Sequence, residues 1–260
     1  MDLGLKNQTA IVFGAGGVIG RSIAEAFLEA GCRVGGFDRA PSVESLPNIY
    51  GVRGEASSET DVKSAVEAFI AKFGEIHHVV HTVGIGSGKF GFPFWNLSPA
   101  DWPKVLDVNL VSAVNVATAV APHLTSLRRG SLLFTVSVAA QIGSQTDPPY
   151  SAAKAGLVNF MQCAAKDFAP YDVRVNAISP GMVQTPLNES VWAAGQAKLP
   201  QEQRSSYEEW GGDKIRKISP LGRWQEPAEF GSMAVFLASN HARNITGQTL
   251  NIDGGQVMHS

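Results

Sequence analysis

Charge and cysteine are both scarce in this chain, and each scarcity excludes a class of function. Only 17% of the 260 residues are charged and the formal net charge is −2. A chain so nearly neutral has no strong field to draw it onto nucleic acid or an anionic membrane. A paired basic step, Arg128-Arg129, follows a helical stretch and precedes Gly130, where cations suit a helix C-terminus. The two cysteines, Cys32 and Cys163, give no disulfide framework, which fits a reducing compartment. Both read as buried small hydrophobes. Long apolar runs are missing too. The first run, Ala10 to Phe13, follows an acid at Asp2 and is too short for a signal peptide. No segment reads as long enough for a membrane span. There is no repeat, low-complexity tract or linker. The expectation is one cytoplasmic domain, 1–260, without a nucleic-acid or membrane partner.

What is present is an alternation of short apolar runs and helical stretches. Ala10–Phe13, Arg33–Phe37, Ile49–Arg53, His77–His81, Ser131–Val136, Val173–Ile178 and Gln248–Ile252 read as strands. Between them, Arg21–Ala30, Glu59–Phe73, the stretch through Val105 and Val116, the stretch from Tyr150 through Ala164, and Glu226–Ala238 read as helices, with Pro103 placed to kink one of them. This order predicts an α/β fold: a single Rossmann-like, doubly wound parallel sheet of about seven strands with helices on both faces. His77, His78 and His81 invite a metal, but His77 and His81 would lie roughly 13 Å apart along one strand face, with His78 on the other. No metal site is expected.

Candidate chemistry begins at the first strand, which runs into Gly14-Ala-Gly16-Gly17-Val18-Ile19-Gly20 and then a helix. In that context the glycines let a pyrophosphate approach and the helix N-terminus supplies free amides. Asp38 ends the second strand, where an acid accepts hydrogen bonds from ribose hydroxyls and repels a 2′-phosphate, so NAD is favoured over NADP even with Arg39 beside it. Tyr150 and Lys154 are four apart on a helix that Pro148 and Pro149 suit at its start. A nearby ammonium favours phenolate and turns Tyr150 into an acid/base. Ser137 follows the fifth strand, at the ligand edge of such a sheet. Asn109, a polar residue inside an apolar helix, is either a satisfied core amide or a placed functional one. The glycine- and aromatic-rich stretch Gly84–Trp95 lines a pocket or simply packs, and 187–218, with Trp192, Tyr207 and Trp210, reads as a substrate lid.

Taken together, these features resemble the short-chain dehydrogenase/reductase family over nearly the whole length. The likeness rests on Gly14 to Gly20; on Asn109 in Val-Asn-Leu; on Ser137 thirteen residues before Tyr150, with Lys154 after it; on Asn176-Ala-Ile-Ser-Pro-Gly181 with Thr185; and on Pro220-Leu-Gly-Arg223, Phe236-Leu-Ala-Ser239 and Thr246 to Gly255. It departs at Val18, where the family has glycine, at His81-Thr82-Val83-Gly84 for Asn-Asn-Ala-Gly, and at Glu55-Ala56 for Asp-Val. The resemblance implies Asn109, Ser137, Tyr150 and Lys154 as catalytic residues. It implies Gly14, Gly16, Gly17, Val18, Ile19, Gly20, Asp38, Glu55, Ala56, Val83, Tyr150, Lys154, Pro180, Gly181, Val183 and Thr185 as cofactor contacts. The implied activity interconverts a secondary alcohol and a ketone, the substrate being a sugar, polyol or small cyclic alcohol. Lys154 would also hold the nicotinamide ribose and Asn109 a proton-conducting water, and the assembly would be a homotetramer or homodimer. The alternatives are an NADPH-linked 3-oxoacyl or ketone reductase, and a non-catalytic nucleotide-binding sensor.

Overall fold

The apolar runs form seven strands in the computed structural model, which describes residues 3–144 and 146–258; Asp2 and Gln145, in stretches quoted above, lie outside them. The strands are β1 (Thr9–Phe13), β2 (Arg33–Asp38), β3 (Ile49–Arg53), β4 (His78–His81), β5 (Gly130–Thr135), β6 (Val173–Pro180) and β7 (Thr249–Ile252). They pair in the order β3-β2-β1-β4-β5-β6-β7, every pair parallel. Strand order reverses between β1 and β4, so a crevice opens there at the carboxyl ends of the strands.

Side-chain alternation along the strands builds two cores. Ile11, Phe13, Val79, Leu132, Phe134 and Val175 face a core shared with α2 (Glu59–Phe73), α4 (Ser112–Leu127) and α6 (Pro148–Phe168). Ala10, Val12, Val80, Leu133 and Ile178 face the other, shared with α1 (Val18–Glu29) and α9 (Pro227–Ala238). Helix boundaries follow local chemistry. Ser58 caps α2 by accepting from the Asp61 amide, and Gly74, at φ +82°, stops it.

The helix expected to kink at Pro103 does not. Pro103 is the first residue of α3 (Pro103–Leu106), where its missing N–H costs nothing. The irregularity falls one turn later, as a π-helical turn at Asp107–Val111 leading into α4. Joined, residues Pro99–Leu127 are long and apolar enough to cross a membrane by length and composition, contrary to the sequence expectation. Burial of Val105, Val108, Ala113, Val116, Val120 and Leu124 within the fold accounts for that apolarity.

Cys32 is buried and donates to the Leu5 carbonyl, but Cys163 is exposed: it lies on the outer side of α6, away from Leu157, Met161 and Ala164. The three histidines have separate partners. His77 Nδ1 accepts from the Thr9 amide at 3.1 Å, His78 bonds Ser131 and Gln8, and His81 bonds Ser112.

Candidate active site

The first strand delivers the chain into a turn that only glycine fits. Gly14 has φ +93°, and a Cβ on it would lie 2.4 Å from Thr82 Oγ1. Thr82 donates from that hydroxyl to the Phe13 carbonyl at 3.0 Å, tying the turn to the end of β4. The N-terminus of α1 then carries no capping side chain and no acid in its first turn. Its leading amides therefore remain free for an anion. Val18 takes the first helical position, where the backbone needs no glycine, and is 40% exposed. Asp38 stands beside this turn. One carboxylate oxygen accepts from the Gly16 amide and the other from the Ala40 amide, each at 2.9 Å.

Gly14, Gly17, Asp38, Glu55, Ala56 and Val83 line one cleft, and Arg39, Thr82, Gly84, Ile85 and Val108 join them. Gly16 is held to the cleft through Asp38, whereas Ile19 and Gly20 sit in the first turn of α1, with Gly20 packed on the Gly14 carbonyl. Pro180, Gly181, Val183 and Thr185 lie apart from the cleft lining. Pro180 ends β6, Gly181 abuts Gln225 and Asp253, Val183 bridges Gln225, and Thr185 caps α7 (Pro186–Gln196). Asn115, which sequence reasoning missed, braces the cleft from α4 by donating to the Ala56 and Ser57 carbonyls at 3.2 and 3.1 Å. Nothing local to Asn115 signals that role, because its partners lie 59 and 58 positions away. These features fit a dinucleotide: a cradle closed to side chains, free helix amides and an acid where a ribose would lie.

The cleft runs onto the polar group singled out from sequence. A Cβ on Gly84 would lie 2.8 Å from Asn109 Oδ1 and 3.2 Å from Lys154 Nζ. The Lys154 ammonium, buried, donates to Thr135 O at 2.9 Å and Val83 O at 3.4 Å, and lies 5.8 Å from the centre of the Tyr150 ring. Tyr150, half-buried, hydrogen-bonds Ser137, whose hydroxyl also accepts from the Ala139 amide. Ser151 fastens the two: its hydroxyl donates to Ala139 O, from α5 (Ala139–Ile142), and accepts from the Ser144 amide at 3.0 Å. Asn109 is buried with both ends of its amide engaged. It donates to Ile85 O and Val105 O, both at 2.8 Å, and accepts from the Ile85 amide at 3.2 Å. Taking the Val105 carbonyl is what an interrupted helix ladder at the π turn permits. His81 fills the position the family gives to asparagine, and braces β4 to α4 through Ser112, which itself donates to Val108 O.

Burial dominates the electrostatics here. It pushes Lys154 down to about 7 and holds His81 neutral, down at about 3, with the Lys154 charge adding to the effect. It pushes the Tyr150 phenol up to about 12, against the pull of the Ser137 hydrogen bond. The expectation that Lys154 lowers the phenol is therefore not met. The ammonium is spent on two carbonyls, and desolvation of the phenolate outweighs what charge remains.

The segment 187–218 forms α7 and α8 (Tyr207–Ile218). Its aromatics do not stand open for a ring to stack on. Tyr207 packs against Trp192, Trp210 and Trp224, with centroids 5.8 to 6.0 Å apart, so they hold the two helices together. Phe90 packs on Gly195 of α7, while Phe92, Phe94 and Trp95 are at least half exposed.

A family model described as enoyl-(acyl carrier protein) reductase matches residues 14–257. The chain is 30% identical to the 3-oxoacyl-[acyl-carrier-protein] reductase FabG of Thermotoga maritima, over 98% of this chain and 99% of that one. It is 31% identical to the D-threitol dehydrogenase of Mycolicibacterium smegmatis, over 99% and 95%. Among solved structures, the ligand-free aldohexose dehydrogenase of Thermoplasma acidophilum superposes with a TM-score of 0.87 at 26% identity, covering 100% of this chain and 98% of that one. A variant of the actinorhodin polyketide ketoreductase with NADPH gives 0.87 and 26%, covering 96% and 97%. With the glycine turn, the parallel sheet and the Ser137–Tyr150–Lys154 group in one place, the chain belongs to the short-chain dehydrogenase/reductase family of nicotinamide-dependent oxidoreductases.

Proposed function

We propose that this enzyme oxidises a secondary alcohol, or reduces the matching ketone, with NAD as the preferred cofactor and a sugar, polyol or small cyclic alcohol as substrate. The observation that carries this reading is the continuity of the dinucleotide cleft with Tyr150 through Gly84, Asn109 and Lys154. When bound, the nicotinamide supplies the hydride acceptor. Tyr150 takes the carbinol proton, and Ser137 donates to the substrate oxygen as its charge develops. Lys154, held by the Thr135 and Val83 carbonyls beside the Tyr150 ring, would hold the nicotinamide ribose. Asn109, its amide spent on residues 85 and 105, acts by fixing the cleft wall. Asp38, already oriented by two amides, keeps acceptor capacity for ribose hydroxyls and opposes a 2′-phosphate. Pro180, Gly181, Val183 and Thr185 reach the cofactor as α7 and α8 close as a lid over the single domain. We place the enzyme in the cytoplasm as a homotetramer or homodimer.

A second reading, an NADPH-linked 3-oxoacyl or ketone reductase, draws on the FabG relatives, the ketoreductase structure with NADPH, and Arg39 in the cleft lining. NADH or NADPH absorbance followed with a panel of polyols, cyclic alcohols and 3-oxoacyl thioesters tests both. Turnover of an alcohol with NAD supports the first reading. Turnover confined to thioesters with NADPH replaces it with the second.

A further inference from the structure

Asp147 is a buried carboxylate that the reading above does not use. It stands at the N-terminal boundary of α6, three residues before Tyr150, and is 5% exposed. Its Oδ2 accepts from the Ser87 amide at 2.8 Å, while its Oδ1 is buried with no hydrogen-bond partner. The loop 84–91 is shaped around it. A Cβ on Gly86 would lie 2.8 Å from Oδ2 and 3.2 Å from Leu187 of α7, and the Gly91 amide donates to Thr146 O at 2.8 Å.

The charged groups nearby are engaged elsewhere. Lys89, on the same loop, pairs with Asp101 at 2.7 Å, and Lys154, further along α6, is held by two carbonyls. From α7 comes apolar Leu187, and Glu189 beyond it is exposed. Among the described residues, no cation forms an ion pair with Asp147. The carboxylate thus has no cation to neutralise it in a low-dielectric place, where charge acts over longer range than in water.

We propose that Asp147 is a positioning residue: it pins the loop 84–91 to the first turn of α6, and its unneutralised charge raises further the alkaline pH at which Tyr150 becomes a base. The second half rests on Tyr150 as that base. The sign follows from like charges, since a carboxylate disfavours phenolate beside it. The Tyr150 phenol is indeed pushed up first by burial and then by the Asp147 charge. Burial also pushes the Asp147 carboxyl up, against hydrogen bonds that it accepts from Ser87 and from the Tyr150 amide.

Asp147→Asn keeps an acceptor for the Ser87 amide and removes the charge; Asp147→Ala removes both. In Asp147→Asn the alkaline rise of kcat/KM for alcohol oxidation should move to lower pH by roughly 0.5 to 1 unit, with residues 85–88 as protected from amide exchange as in the wild type. In Asp147→Ala, exchange at 85–88 should quicken about tenfold or more, as for an opened local hydrogen bond. A pH profile of Asp147→Asn superimposing on that of the wild type overturns the charge role. Unchanged exchange in Asp147→Ala overturns the pinning role, and exchange decides that part even without turnover. Failure of the underlying reading looks different, because Tyr150→Phe would then be as active as the wild type.

Discussion

Replacing Lys154 by Met should make the protein more stable at neutral pH and less stable at alkaline pH. Burial lowers the lysine from 10.5 to about 7. The sign follows from proton linkage: between those two values the unfolded chain holds a proton that the folded chain does not, so stability is gained as pH rises from about 7 towards 10.5 and is lost as it falls. The penalty is roughly 4 kcal/mol near pH 7 and about 1 kcal/mol near pH 9.5. Against it stand the hydrogen bonds to Thr135 O and Val83 O, together worth about 2 kcal/mol. Lys154→Met removes both terms while keeping the stem. It should therefore be stabilised by about 2 kcal/mol near pH 7 and destabilised by about 1 kcal/mol near pH 9.5. The assay is urea unfolding of both proteins across that range, in which titrating groups not coupled to Lys154 cancel in the difference. A difference independent of pH would refute the reasoning, since it would mean that Lys154 carries the same charge folded and unfolded.

Three further outcomes follow from the geometry. Gly84→Ala drives a methyl against Asn109 Oδ1 and Lys154 Nζ, and should cost about 1–3 kcal/mol of stability, measured by denaturant unfolding, with a fall in kcat as Lys154 shifts. Asp38→Ala should raise the NADP-to-NAD ratio of kcat/KM about tenfold or more by removing like-charge repulsion; an unchanged ratio would remove Asp38 from cofactor selection. Asn109→Ala breaks the contacts to Ile85 and Val105 and should quicken amide exchange at the π turn while costing about 1–3 kcal/mol.

Much of the fold was legible because its signals are local. Glycine turns, short apolar runs and helix stops are written within a dozen residues, and all seven strands lie within a few positions of where the sequence puts them. The glycine turn, Asp38 and the spacing from Ser137 to Lys154 were legible for the same reason. What was not legible depends on distant segments meeting. Gly84 matters because Asn109 and Lys154 converge on it, Asn115 because its amide reaches the loop after β3, and Asp147 because the loop 84–91 folds over it. Cys163 fooled the pattern because α6 has small residues on more than one side, and the 187–218 aromatics because composition does not say whether rings face a ligand or each other. The tyrosine–lysine electrostatics ran against expectation because spacing reports proximity and not desolvation.

Tyr150→Phe tests the central claim most directly. The phenol oxygen is lost while the ring, the cleft and Asp38 stay, so NADH binding followed by fluorescence should be unchanged. Turnover of any alcohol that the wild type oxidises should fall by about 10²- to 10⁴-fold. A variant that binds NADH and turns over at the wild-type rate would contradict the assignment of proton transfer to this tyrosine.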